Sequence, residues 1–286
     1  MNIVSTEQIQ FFNDNGYLKY GQAIESHEVE DLRAGLNRVI QIEATGGDDT
    51  SPEFKFGHRR SSDAEGAVRP ITQFMNMWKR EKVYESILNE PRISAVAAAL
   101  LGTNRVRLWH DHVISKPPGD NGNFDFHQDF YFWPLDEPRI LSCWLALDDA
   151  TPENGCMHVV PKSHVDSRFG LEAYAAEIKA IKQSENPSEV PKTPRQLMHH
   201  EPASIGIPVE LKTGECMFHH SLNFHCTPAN LTSQPRRAHV MIFIADGVKV
   251  KRSNAPDHPL MPLIDVEDGK ELQGKDFPLI NRRMSA

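Results

Sequence analysis

The chain has 286 residues, 39% hydrophobic and 24% charged, with 17 glycines and 20 prolines, a composition that excludes disordered and fibrous proteins. A formal net charge of −8 without a dense basic block excludes a general nucleic-acid binder, because neutralising phosphate needs clustered Lys and Arg. No segment holds the roughly 18 consecutive apolar residues of a membrane span.

The opening MNIVSTEQIQFFNDNG lacks the basic region, apolar run and small-residue cleavage site of a signal peptide, so a cytoplasmic address is expected. STEQ at 5 to 8 has capping-box form, with Ser5 as cap and Gln8 three residues on, and Gly16 closes the short helix that follows. Ser26 precedes a segment with Val29, Leu32, Leu36, Val39 and Ile40 on one helical face. Residues 44 to 70 break that order with a polar, Gly- and Asp-rich connection that carries no period and reads as a lid. Two further helical runs, about 81 to 89 and 91 to 101, are separated by Pro91 and end at Gly102.

From 105 the texture changes to short strands and turns. RVRLWHDHVISK alternates, RILSCWLALDD is an apolar run with β-branched and aromatic members, and Asn154-Gly155 suits a hairpin turn before CMHVVP. Residues 165 to 207 form a mixed insert, helical around 171 to 183, after which IPVELKTGECMFHH and RRAHVMIFIADG resume the strands. The tail from 251 reads as an extended wrap or a subunit contact. Many short strands after a helical preface indicate a sandwich or barrel flanked by helices, in one domain with helical support at 1 to 104 and a barrel at 105 to 250. Cys143, Cys156, Cys216 and Cys226 form no CxxC pair, and buried free thiols are expected.

The chemistry concentrates in FDFHQDFYFW at 124 to 133. In an extended strand, residues i and i+2 point to the same side, so His127 and Asp129 share a face and their donor atoms converge. That is half of a metal site. A second histidine from a distant strand would complete the two-histidine, one-carboxylate face of non-haem Fe(II) oxygenases, with open positions for co-substrate and dioxygen. His164-Val165-Asp166 and His199-His200-Glu201 also fit the HxD or HxE pattern, but one follows a turn and the other lies in the polar insert. Candidates for the distal histidine are His219, His220 and His225, followed by Arg236 and Arg237 at the start of an apolar strand. An arginine there places a rigid fork inside the barrel, suited to a carboxylate, or is a surface charge at a strand end.

The runs HQDFYFWP, CWLALDDATPENGCMHVVPKSH and HHSLNFHCTPANLTSQPRRA, in that order, resemble the phytanoyl-CoA dioxygenase family of Fe(II)- and 2-oxoglutarate-dependent oxygenases. The resemblance runs from STEQIQFFNDNGYL to the strand ending near Gly247. It implies a double-stranded β-helix, a jelly roll or cupin-like barrel, mainly β with flanking helices. It also implies Fe(II), 2-oxoglutarate and O2 as cofactor and co-substrates. Carried over residue by residue, the metal ligands are His127, Asp129 and His225, with His225 rather than His219 or His220 ending the GD-x-x-x-F-H-x-x-x-x-H type block. Arg236, eleven residues later, matches the clamp on the far carboxylate of 2-oxoglutarate, and Thr227 a hydroxyl that assists it. Trp144 matches an aromatic wall beside the co-substrate, Gln73 a residue that reaches it, and His112 lines the same pocket. Halogenating relatives replace the carboxylate with a small residue, so Asp129 favours hydroxylation.

For the substrate side, Tyr131, Phe132 and Trp133 follow the HxD motif, Asn76 is polar between large apolar residues, and the lid holds His58, Arg59, Arg60 and Arg69. The arginines suit a small polar or anionic metabolite, and no long apolar tract suggests an acyl tunnel. Two other readings share the ligands: a non-enzymatic cupin-like binding module, and a Zn-type hydrolase, which has no need of Arg236. Nothing in the sequence specifies an oligomer.

Overall fold

The computed structural model describes residues 3–45, 59–62, 68–120, 122–184, 186 and 206–280, with backbone alone at 59–62 and 68–72. Helix α1 (Thr6–Asn15) starts on the expected box, Ser5 accepting from the Gln8 amide. It ends at Gly16, whose φ of 78° places it where a side chain would be strained. Helix α2 (Ser26–Ala44) takes its cap from Glu25, paired with Glu28, so Ser26 is the first helical residue and not the cap. Val29, Leu32, Leu36 and Val39 are buried on its inner face, whereas Ile40, read as part of that face, is 39% exposed. Short helices α3 (Met77–Arg80) and α4 (Lys82–Ile87) precede α5 (Pro91–Leu100), where Pro91 occupies the first turn and Glu90 accepts from the Arg92 amide. Helix α6 (Leu171–Gln183) falls in the insert, as expected.

The strands are β1 (Tyr17–Gln22), β2 (Arg59–Ser62), β3 (Val68–Met75), β4 (Val106–Lys116), β5 (Phe124–His127) and β6 (Ile140–Ala146). They continue as β7 (Met157–Val159), β8 (Ile207–Val209), β9 (Glu215–His220), β10 (His225–Thr227), β11 (Arg236–Ala245) and β12 (Leu279–Ile280). Among the described residues they form an eight-stranded antiparallel sheet, ordered β1-β9-β6-β11-β4-β3-β2 with β12 beside β4, and a four-stranded sheet, β5-β10-β7-β8. The architecture is the expected jelly roll, mainly β with flanking helices.

Three expectations change. The N-terminal third is not purely helical, since β1, β2 and β3 join the large sheet. The segment expected to be a period-free lid contains the hairpin β2–β3, with Arg59 opposite Ile71, and the rest of it lies outside the described residues. Asn154-Gly155 closes a 3-10 turn (Pro152–Asn154) and not a two-residue hairpin. Gly155 is required there, since a Cβ would meet the Pro228 carbonyl at 2.1 Å.

Both faces of the large sheet are buried, which is why β6 reads as an unbroken apolar run. Leu141, Cys143 and Leu145 pack with Leu32, Leu36 and Val96 of the helices, while Ile140, Trp144 and Ala146 face the barrel interior. Each such aliphatic or aromatic side chain contributes about 1.5–3 kcal/mol on burial. All four cysteines are free and buried. No helix among the described residues is long and apolar enough to cross a membrane.

Candidate metal centre

His127 is the last residue of β5, but Asp129 opens a 3-10 turn (Asp129–Phe132) and is not on a strand as expected. The same-side relation survives because Gln128 between them is extended, at φ −122° and ψ 125°. The turn is fastened from across the barrel. Gln128 Nε2 donates to the Leu222 carbonyl at 2.7 Å, and the Phe130 amide to that of Ser221 at 3.1 Å.

His225 opens β10 directly opposite His127 in register. The ligating atoms of His127, Asp129 and His225 all lie within 4.8 Å of one another. Each imidazole is oriented by its own chain: His127 Nδ1–H donates to the Asp125 carbonyl at 2.7 Å and His225 Nδ1–H to that of Asn223 at 2.9 Å. Those bonds leave a lone pair on each Nε2, and these face Asp129 Oδ1 at 3.3 and 3.7 Å. Three acceptors converging in a half-buried space repel one another unless a cation sits among them, so this donor set fits a divalent metal. Burial, with His127 and His219 nearby, holds His225 well below its usual pKa, which keeps it in the neutral, ligating form.

A cavity of about 160 Å³ opens beside this cluster. Gln73, His112, Trp144 and Thr227 line it, and so does Trp133. Arg236 opens β11, 0% exposed, with its guanidinium carbon 5.3 Å from the centroid of the Trp144 ring. None of its three guanidinium nitrogens has a hydrogen-bond partner among the described residues, and the buried Thr227 hydroxyl has none either. Burial lowers the Arg236 pKa to about 10, so it remains charged near neutrality. A buried, unpaired guanidinium costs several kcal/mol, and the polar group that would satisfy it is a carboxylate held by its fork.

Lys116 is Arg236's partner across β4 and β11 and is equally buried. Burial pushes its pKa down to about 6, and its Nζ lies within hydrogen-bond reach of the carbonyls of Gly122, Thr227 and Pro228, the last two on the backbone that carries the Thr227 hydroxyl. Arg237 points the other way, where Nε–H and Nη2–H donate to Asp148 at 2.7 and 2.8 Å. The alternative reading of a strand-end charge therefore holds for Arg237 and not for Arg236.

Other candidates fall elsewhere. Asn76 is buried in a left-handed conformation (φ 50°) at the start of α3, where its amide donates to the Asp111 carbonyl, and it does not line the cavity. Tyr131 and Phe132 line a separate outer groove with residues 254–259, sharing only Trp133 with the cavity. His164 bonds the Asn13 carbonyl and Asp166 pairs with Arg168, so that HxD pair holds no cluster. The side chains of Arg59, Arg60 and Arg69, together with His58, His199, His200 and Glu201, lie outside the described residues.

The sequence reading passes over His110 and Ser142, which line the cavity together with His219. Ser142 carried a signal, since its place two residues before Trp144 puts both on one face. His219 was weighed only as a ligand.

The fold and the cluster together define an oxygenase-type jelly roll with a facial two-histidine, one-carboxylate centre. The family model for phytanoyl-CoA dioxygenase (PhyH) matches residues 12–238, and the chain belongs to that family. It is thereby an enzyme of the 2-oxoglutarate-dependent dioxygenase class, whose reagents are iron, 2-oxoglutarate and dioxygen. It is similar to a probable phytanoyl-CoA dioxygenase of Caenorhabditis elegans, 25% identical over 83% of this chain and 74% of that protein. It is also similar to a methylphosphonate hydroxylase of Gimesia maris, 26% identical over 96% of this chain and 94% of that protein. Among solved structures, the non-heme alpha-ketoglutarate-dependent carbocyclase SnoK superposes with a TM-score of 0.72 at 23% identity, covering 97% of each chain. EctD from S. alaskensis, with 2-oxoglutarate and 5-hydroxyectoine, superposes at 0.64 and 20% identity over 87% of this chain and 80% of that one.

Proposed function

We propose that this chain is a single-domain Fe(II)- and 2-oxoglutarate-dependent dioxygenase that hydroxylates an unactivated C–H bond of a small, polar or anionic metabolite, releasing succinate and CO2. The observation that carries it is the pairing of an acceptor-only cluster with a buried, partnerless Arg236. His127, Asp129 and His225 would hold the iron, and Arg236 with the Thr227 hydroxyl would receive the far carboxylate of 2-oxoglutarate. When bound, iron and co-substrate supply the oxidising power for the C–H step. The chain's own groups bind and orient: the Arg236 fork fixes one end of the co-substrate, Trp144 walls it, Gln73 and His112 close the strand edge beside it, and apolar Val240 and Ile242 exclude water.

One observation supports a small substrate. One of the relatives matched over nearly the full length of both chains is named for a small phosphonate, while another is named for phytanoyl-CoA. A binding module needs the triad alone, and a Zn-type hydrolase has no use for Arg236.

The test is anaerobic addition of Fe(II) and 2-oxoglutarate to the purified apoprotein, read by the visible metal-to-ligand charge-transfer band, followed by a screen of small phosphonates and carboxylates for succinate release. A protein that binds the metal but gives no band with 2-oxoglutarate overturns the oxygenase reading.

A further inference from the structure

We propose that His219 and Ser142 are positioning residues that lock Asp129 as a one-oxygen ligand and so keep a coordination position open for 2-oxoglutarate; the proposal rests on the triad reading above. The carboxylate is divided between two sets of neighbours. Oδ1 faces the bare Nε2 atoms of His127 and His225. Oδ2 accepts from the Ser142 hydroxyl at 3.1 Å and from His219 Nε2–H at 3.3 Å.

Both donors come from one rung of the large sheet. Ser142 and His219 are direct partners on β6 and β9, and each is 1% exposed. The next residue on that rung, opposite Ser142 on β11, is apolar Ile242. A buried hydroxyl and imidazole are costly unless they are hydrogen-bonded, and Asp129 Oδ2 is the acceptor they share. His219 does not belong to the cluster whose ligating atoms all lie within 4.8 Å of one another. With Nε2 spent as a donor to the carboxylate, it has no lone pair there for a metal, and its Nδ1 is buried without a partner among the described residues.

The consequence is geometric. A carboxylate free to turn about its Cβ–Cγ bond takes a metal through both oxygens and occupies a position the co-substrate needs. Two donors on the outer oxygen prevent that turn. His219 thus acts through Asp129 and touches no reacting atom.

The test uses the full-length protein, loaded anaerobically with Fe(II) and titrated with 2-oxoglutarate against the charge-transfer band, with thermal melts of each apoprotein alongside. His219→Leu retains Fe(II) but requires about 10- to 100-fold more 2-oxoglutarate. Ser142→Ala shifts in the same direction by less and carries the test if His219→Leu does not fold. His219→Gln, whose amide N–H still donates, recovers most of the affinity. A His219→Leu titration like that of wild type overturns the proposal alone, as does loss of Fe(II) as complete as in His127→Ala, which would make His219 a ligand. A folded wild type that gives no band overturns the triad reading, and this proposal with it.

Discussion

The two faces of the large sheet bury their arginines under opposite rules, and consecutive residues show it. On the face toward the helices, Arg237 is bonded twice to Asp148, which Arg33 also reaches at 2.7 Å. On the same face Asp111 and His239 are both fully buried and joined at 2.7 Å, with the Tyr84 ring edge-on to the imidazole at 4.8 Å. Facing the interior, Arg236 has no hydrogen-bond partner among the described residues. Charge buried for stability is paired within the chain, while charge buried for a guest stays unpaired until the guest arrives.

Four experiments break or sharpen that contrast. The largest effect is on binding: Arg236→Met lowers 2-oxoglutarate affinity by two to three orders of magnitude, about 3–4 kcal/mol. The same change leaves the apoprotein as stable as wild type or more so, because a buried unpaired cation is removed. Calorimetric titration and a denaturant midpoint read the two halves, and a destabilised apoprotein would show that Arg236 already has a partner within the fold.

On the helix-facing side the effect is on stability. Asp111→Ala costs about 3–5 kcal/mol, since it breaks a fully buried pair, and urea unfolding measures it. Arg237→Met costs less, about 1–3 kcal/mol, because Arg33 still holds Asp148. A loss smaller than that of Arg236→Met would reverse the assignment of the two faces.

The last effect is a pH dependence of the apoprotein. Burial pushes His112 down to about 3 and His258 down to about 4, and His258 Nδ1 accepts from the Leu260 amide, a bond only the neutral ring makes. Between those values and the unfolded value near 6.5, the unfolded chain binds protons that the folded chain does not. Stability is therefore full above about pH 6.5 and falls on acidification, by up to about 1.4 kcal/mol per pH unit for each histidine. His258→Gln removes its share of that slope, and an unchanged slope would place the titration elsewhere.

Much of this was legible along the chain because it is local. Ser5 with Gln8 dictates a helix start, Pro91 another, and the period of Val29, Leu32 and Leu36 gives the buried face of α2. The HxD pair, its distal histidine and the arginine eleven residues later are short motifs whose chemistry follows from residue type. Other features were not legible, because they depend on which strands lie side by side. β1 and β12 look like ordinary connections until β9 and β4 supply the hydrogen bonds that make them strands. Tyr131 sits two residues from Asp129, yet the 3-10 turn points it into the outer groove.

The sequence by itself determined the chemical alphabet of this protein: a histidine, a carboxylate, a second histidine and an arginine, with helical and strand periods to carry them. Only the tertiary structure decided their accounts with solvent and with one another. It left Arg236 unpaired, gave Asp148 to Arg237, and brought His219 and Ser142 to the free oxygen of Asp129. The reason is that a side chain's type is written locally, whereas its burial and partners are set by which segments meet in the fold, segments as far apart as Asp129 and His219, 90 residues along the chain.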